Sequence, residues 1–330
     1  MLGLQDIRQP IQAEFEQFLR LYEQTMHSDH PLLSEALPYV LSRHGKQLRP
    51  QLVLLSAKMC NGITDKTLHT ALALELLHTA SLVHDDVVDV SPTRRGKEAL
   101  QVRWTNKVAV LVGDYLLSVV MQTIAGLRNT RILSIISVLA NELSSGELLQ
   151  IDPHQSMWIS EERYYDIISR KTACLFAACM ETGAESSVAT MKQTTALKQF
   201  GWHLGMCFQL KDDVLDYSDS EDLGKPTMND IRDGKVTLPL LVAVGRAPKE
   251  EAESIRMLAE SMAVGQPTLP LQEAEQRLKS FVMRYEGVRY AYRQMYQHKE
   301  KAEQCLASFR DSVYKTALLQ LLDYAINRIN

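Results

Sequence analysis

Chain breakers are scarce in this sequence. Its 330 residues include only 15 glycines and 11 prolines, too few to punctuate a sandwich or barrel of many short strands. Alternation of apolar and polar residues is nearly absent. Surplus positive charge is also missing: a formal net charge of −4 gives no basis for nucleic-acid binding by bulk electrostatics. The 5 cysteines are scattered and sit in apolar surroundings, and Cys174 and Cys179 do not have a zinc spacing. They read as reduced core residues of a cytoplasmic protein. The N-terminus, "MLGLQDIRQPIQAEFEQF", has no basic region followed by an apolar core, so no signal peptide is expected. One apolar run, Val108 to Leu127, approaches membrane length. Asp114 and Gln122 interrupt it and charged segments flank it, so it reads as a buried helix, and no transmembrane segment is expected.

What the chain does have is helical spacing. It is 45% hydrophobic, enough for a large core. Stretches such as "LHTALALELLHTASLVHDD", "RYYDIISRKTACLFAACMETGA" and "TTALKQFGWHLGMCFQLKDDVLDY" repeat apolar residues at helical intervals. The expected fold is all-α, one large helical bundle spanning residues 1–330 as a single domain. Turn signals fall near 60–65, 90–98, 151–157, 218–234 and 263–270.

Within that apolar pattern a cluster of acids recurs. Asp-Asp-x-x-Asp appears as Asp85, Asp86 and Asp89, and again as Asp212, Asp213 and Asp216. On a helix, the first and last members of each set share a face. Each cluster ends a long apolar helix just before a polar loop. One such cluster alone would pass for a solvated helix end. Two identical clusters in matching contexts suggest instead that both meet at one mouth of the bundle with cations between them. Carboxylates without His or Cys companions suit a hard ion, Mg²⁺ above all, which takes phosphate oxygens and waters as its remaining ligands.

Bound phosphate predicts nearby cations. Four short basic motifs supply them: "GKQLRP" with Gly45, Lys46 and Arg49; "SPTRRGKE" with Arg94 and Arg95; "SRKTA" with Lys171 and Thr172; and "DLGKPTMNDIRDGKVTLP" with Lys225 and Lys235. Arg offers a two-pronged fork for phosphate oxygens and Lys a mobile point charge. Any one motif could be plain surface charge. Together with the acid clusters they describe a diphosphate site, or two.

At this point "LVHDDVVDVSPTRRG" and "FQLKDDVLDYSDSEDLGKPTMNDIRDGKVTLPL" resemble the two aspartate-rich motifs of the trans-isoprenyl diphosphate synthases. "GKQLRP", "GDYLL", "SSGELLQ" and "RKTACLF" match in the family's order. The resemblance covers about residues 40–245 and implies a prenyltransferase with a helical bundle around a central cavity. It implies condensation of isopentenyl diphosphate onto an allylic diphosphate, with Mg²⁺ (three ions when substrate is bound, Mn²⁺ able to substitute) assisting ionisation. Carried over by position, Asp85, Asp89 and Asp212 are the main metal ligands, and Asp86, Asp213 and Asp216 secondary ones. Arg94, Lys171, Lys225 and Lys235 hold the allylic diphosphate. Gly45, Lys46, Arg49, His78 and Arg95 hold the isopentenyl diphosphate. Thr172 and Gln209 direct oxygens at the allylic cation, and the loop over 218–234 closes as a lid.

The resemblance also implies a tunnel along the helix that carries the first cluster, lined by Ser81, Ala80, Leu77 and Leu74. In this family a bulky aromatic just before the first aspartate stops chain growth early. Ala80 and Ser81 are both small here, so a long product of about C30–C40 is expected, octaprenyl favoured, one helical turn of ~5.4 Å matching about one isoprene unit. Met121, Ile135 and Leu139 are candidates for the tunnel floor. Further implications are a homodimer, transient contact with a membrane surface and use of the product in quinone side chains. Competing expectations are the catalytic subunit of a two-component synthase, a shorter-chain geranylgeranyl or farnesyl synthase, and a terpene cyclase. A cyclase has no need of the second diphosphate pocket that "GKQLRP" supplies.

Overall fold

The computed structural model describes residues 3–42, 45–151, 156–218 and 227–328. Among these, helices run in chain order as α1 (Leu4–Arg8), α2 (Gln12–Thr25), α3 (Pro31–Leu41), α4 (Leu48–Met59), α5 (Asp65–Val88), α6 (Leu100–Arg103), α7 (Asn106–Gly126), α8 (Thr130–Ile151), α9 (Glu161–Ile168), α10 (Cys174–Ser186) and α11 (Met191–Leu215). They continue as α12 (Asn229–Arg232), α13 (Leu238–Arg246), α14 (Lys249–Ala263), α15 (Leu271–Arg284), α16 (Gly287–Cys305) and α17 (Val313–Asn327). The all-α expectation holds. The exception among the described residues is a two-stranded hairpin, β1 (Thr93–Arg94) paired antiparallel with β2 (Lys97–Glu98).

The chain divides into two compact units, each assembled from three separate stretches. The first comprises Met1–Ala140, Phe176–Gly201 and Leu306–Leu321. Its axis is α5, which starts cleanly because the Thr64 hydroxyl accepts a hydrogen bond from the Thr67 N–H at 3.3 Å, satisfying one of the helix's orphan donors. α5 is apolar nearly all round, with Ala71–Leu77 buried without a break. Such a helix needs neighbours on every side, and α2, α4 and α7 provide them. α4 and α10 approach closely because Gly183 has no side chain: a Cβ there would lie 2.4 Å from the Val53 carbonyl oxygen.

α7 departs from the buried-helix expectation. One stripe (Ala109, Val112, Gly113, Leu116, Val120, Ile124) is buried. Outside that stripe apolar residues stay exposed beside Asp114 and Gln122: Leu111 is 65% and Met121 62% exposed. Val110 on α7, and Leu133 and Val138 on the following helix, are also exposed. α7 and α8 are long and apolar enough to cross a membrane by length and composition.

The second unit comprises Asn141–Leu175, Trp202–Cys305 and Leu322–Asn330. Its core joins Ile231 of α12, Leu240 and Ala243 of α13, Ile255, Leu258 and Met262 of α14, and Leu278 and Val282 of α15. Between α9 and α10 the chain opens into one π-helical turn, Ser169–Ala173. Such turns widen a helix and cluster at functional positions.

Candidate active site

The first acid cluster lies at the C-terminal end of α5. Asp85 is half-buried, Asp86 is 2% exposed, and Asp89 is exposed as the residue that caps the helix. This helix end carries no basic residue in its last turn, so three carboxylates add to the negative pole of the helix dipole, an arrangement that calls for a cation. For Asp86 the cation is Arg94, whose Nε donates to Asp86 Oδ1 at 2.6 Å. Gln101 fastens the exit, donating to the carbonyls of Asp86 and Ser91 at 2.7 Å each.

The hairpin that follows has a two-residue turn, Arg95–Gly96. Both residues have positive φ, 53° and 74°, the requirement of a type I′ turn. Gly96 adopts it freely, whereas Arg95 is strained there. The strained conformer lays the Arg95 guanidinium against Gly45, where a Cβ would sit 2.5 Å from Nη2. Glycine at 45 is therefore needed for room. Arg94, Arg95, His78, Glu75 and Tyr22 line one small cleft with Asp86. Arg49 lies below the Phe176 ring, 5.7 Å from its centroid, and its Nε is buried without a hydrogen-bond partner among the described residues. Burial lowers the Arg49 pKa, as it does that of His78, which Arg49, Arg95 and Arg94 push lower still. Lys46 is exposed. An orphaned guanidinium N–H beside further arginines suits an anion. Gly45 lies against Arg95, and Arg49, Arg95 and Arg94 lie near enough to His78 to act on its charge.

In the same unit, Leu74 and Ala80 are fully buried and Leu77 is 5% exposed. Ser81 is half-buried, with its hydroxyl turned back to the His78 carbonyl at 2.9 Å. Of the floor candidates, Leu139 is buried, Ile135 half-buried and Met121 exposed.

The second unit holds a cavity of about 310 Å³ whose walls include Lys171, Thr172, Gln209, Asp213, Asp230 and Lys235. The π-turn presents Lys171 and Thr172. It fits because Gly146 on α8 lacks a Cβ, which would lie 2.9 Å from the Arg170 Cβ. Trp202 Nε1 pins it by donating to Ser169 Oγ at 2.9 Å. Lys171 reaches Glu147 at 2.7 Å and Gln150 at 3.1 Å, both in the "SSGELLQ" stretch.

A directional chain of hydrogen bonds crosses the cavity wall. Thr172 Oγ1 donates to Gln209 Oε1 at 2.7 Å, Gln209 Nε2 donates to Asp213 Oδ1 at 2.9 Å, and the Tyr164 hydroxyl donates to Asp213 Oδ2. Asp216, just past the helix end, caps α12 by accepting from the backbone of Asn229 at 3.0 Å and Asp230 at 3.2 Å. Burial raises the pKa of Asp213 to about 7, despite the donors Tyr164 and Gln209, with Asp212 and Asp216 adding to the rise. Asp216 is raised by burial, and Asp230 is pushed well above the carboxylate range by burial and then by Asp213 and Asp216. Asp212 is the more open member, its side chain 43% exposed, and it pairs with Arg328 at 2.8 Å.

Among the described residues no three acidic, His or Cys side chains already converge to hold a metal. The donor set nevertheless fits a hard divalent cation: every candidate ligand is a carboxylate, protein cations stand on Asp86 and Asp212, and Asp213, Asp216 and Asp230 are crowded enough to favour protonation. A carboxyl raised in the folded state binds its proton more tightly there than in the unfolded chain. Stability of the metal-free protein therefore falls as pH rises from about 4 toward 7 through Asp213. Asp213→Asn should flatten that part of the profile, read as the difference in melting temperature between wild type and variant across this range.

Lys225 lies outside the described residues, with the rest of 219–226 in the loop expected to act as a lid. Lys235 is half-buried on the cavity wall, 3.6 Å from Asp233. Tyr164, Glu147, Asp230 and Arg328 line or support the second unit's cavity and acid cluster; Glu147 and Asp230 fall inside "SSGELLQ" and "DLGKPTMNDIRDGKVTLP" without being singled out by those motifs. Tyr164 has one faint signal, a place about two helical turns before Lys171.

The polyprenyl synthetase family model matches residues 30–266. The chain is 34% identical to the all-trans-nonaprenyl-diphosphate synthase (geranyl-diphosphate specific) of Rhodobacter capsulatus, over 98% of both chains. It is 41% identical to heptaprenyl diphosphate synthase component 2 of Bacillus subtilis, over 68% of this chain and 65% of that one. The crystal structure of a polyprenyl synthase from Caulobacter crescentus, complexed with calcium and isoprenyl diphosphate, superposes with a TM-score of 0.89 at 32% identity, covering 99% of this chain and 98% of that one. The chain belongs to the polyprenyl synthetase family and is a prenyltransferase.

Proposed function

We propose that this chain is a long-chain trans-polyprenyl diphosphate synthase, extending an allylic primer such as farnesyl diphosphate with isopentenyl diphosphate to about C30–C40, octaprenyl favoured, at about one unit per ~5.4 Å turn. The observation that carries the reading is the cluster of cations in the first unit, where the buried Arg49 Nε has no hydrogen-bond partner among the described residues and Arg95 lies against Gly45. A site of that kind serves a metal-free second diphosphate, which a cyclase would not require. The names of relatives run from short-chain to heptaprenyl, octaprenyl and nonaprenyl synthases, and the long-chain ones support the favoured product.

In this reading Asp85, Asp89 and Asp212 hold Mg²⁺, with Asp86, Asp213 and Asp216 supporting them. The bound cation would supply Lewis-acid stabilisation of the departing diphosphate. Lys171 and Lys235, with Lys225 and Arg94, hold that diphosphate. Thr172 has its hydrogen committed to Gln209, so only lone pairs remain for the cavity, the right polarity toward an allylic cation. Among the described residues no side chain is assigned as general base, and the released diphosphate takes the proton in this reading. Apolar neighbours in the cavity wall, among them Ile167, Ile168 and Val236, keep water from the cation.

The reading treats residues 1–330 as one catalytic body acting in the cytoplasm, with its lipid product bringing it to membrane surfaces. It also makes the enzyme a homodimer. The exposed apolar residues Val110, Leu111, Met121, Leu133 and Val138 support this, because exposed apolar surface seeks a partner. Leu111→Glu should shift the protein from dimer to monomer by light scattering, and an unshifted mass would remove these residues from the interface.

The direct test is incubation of the purified chain with isopentenyl and farnesyl diphosphates, with and without Mg²⁺, followed by separation of the extracted products by length. Metal-dependent products of C30–C40 are expected. Products ending at C15–C20 would overturn the length. Turnover only after adding a second protein would establish the two-component reading, which the name of the Bacillus relative favours.

A further inference from the structure

We infer that Arg328, in the last residues of the chain, is a positioning residue that makes Asp212 a one-oxygen ligand and so favours a small octahedral cation over a larger one at the second acid cluster. The inference rests on the reading of Asp212 as a metal ligand.

Arg328 is 8% exposed, unusual for a long charged side chain. Four contacts hold its guanidinium. Nη2 donates to the Phe208 carbonyl at 2.9 Å, Nε donates to the Ala325 carbonyl at 3.2 Å, and Cζ stacks 3.7 Å from the Phe208 ring centroid. The fourth contact is the 2.8 Å pair with Asp212 Oδ1. Phe208 and Asp212 lie one turn apart on α11, so the carbonyl, the ring and the carboxylate form one cradle.

Three of these contacts do not involve Asp212. A buried guanidinium held in this way stays when a divalent cation arrives, because leaving would strip it of carbonyl partners and of the aromatic face. Two cations on one carboxylate oxygen repel. Oδ1 therefore remains with Arg328, and Oδ2, on the exposed side chain, is the oxygen left for metal. Mg²⁺ needs one oxygen per carboxylate in a near-ideal octahedron, whereas Ca²⁺ takes more ligands and accepts both oxygens of a carboxylate. Arg328 thus orients the ligand for Mg²⁺ and withholds the two-oxygen mode from Ca²⁺.

The test uses the full-length protein, Arg328→Gln and Arg328→Lys, titrated calorimetrically with MgCl₂ and separately with CaCl₂ in the presence of the thio-analogue of farnesyl diphosphate. Arg328→Gln should weaken Mg²⁺ binding about tenfold, the loss typical of a residue that orients a metal ligand. Ca²⁺ binding should hold or strengthen, moving the Ca²⁺/Mg²⁺ preference about tenfold. Arg328→Lys keeps the charge without the fork and should move it the same way by less. An unchanged preference in both variants, or an equal loss for both metals, would overturn the inference. Should the Gln variant fail to fold, the Lys variant alone decides by the same criterion. Failure of the wild-type protein to bind Mg²⁺ with the analogue would refute the ligand reading of Asp212 itself, a separate result.

Discussion

Asp212→Ala and Asp85→Ala should each lower turnover by about a thousandfold, in line with removal of a main electrostatic contributor to a charged transition state. The loss should fall on kcat and persist at saturating substrate. The metal-free Asp212→Ala protein should also melt lower. Asp212 is the partner of Arg328, so its loss leaves a buried guanidinium one bond short. Near-normal kcat in either would overturn the metal assignment.

Ser81→Phe should shorten the product from about C30–C40 to about C15–C20, because an aromatic ring one turn before Asp85 plugs the expected tunnel within the first ~5.4 Å turn. The structure separates this variant from Ala80→Phe. Ala80 is fully buried, and a ring forced into a packed position costs about 1–3 kcal/mol in strain. Ser81 is half-buried and its hydroxyl is satisfied within its own helix, so the larger side chain has room and no other element loses a bond. Product length measured on Ser81→Phe, with melting temperature unchanged, is the cleaner experiment. Unaltered long products would remove Ser81 from the tunnel wall.

The acid clusters were legible because charge inside an apolar helix is costly and needs a reason. The all-α class was legible for the converse reason, since apolar spacing without breakers leaves few alternatives. The hairpin was not. Its strands are two residues each, too short to show alternation, and only the turn signal in "SPTRRGKE" hinted at a reversal. The exposure of apolar residues on α7 was not legible either: an apolar helix covered by its own chain and one awaiting a partner have the same composition. Tyr164 and Asp230 illustrate a third limit. Tyr164 acts by contact with Asp213, and Asp230 by its nearness to Asp213 and Asp216, meetings between separate elements that leave no helical spacing to read.

The division of the chain into two units has a consequence during synthesis. The first unit draws its three stretches from Met1 to Leu321 and the second from Asn141 to Asn330. A ribosome emitting this chain from its N-terminus therefore cannot complete the first unit before Leu306–Leu321 has emerged, nor the second before Leu322–Asn330. Until α10 is made, α4 lacks the neighbour whose Gly183 meets the Val53 carbonyl. Truncation from the C-terminus, even by a few helices, should yield insoluble protein with neither unit intact.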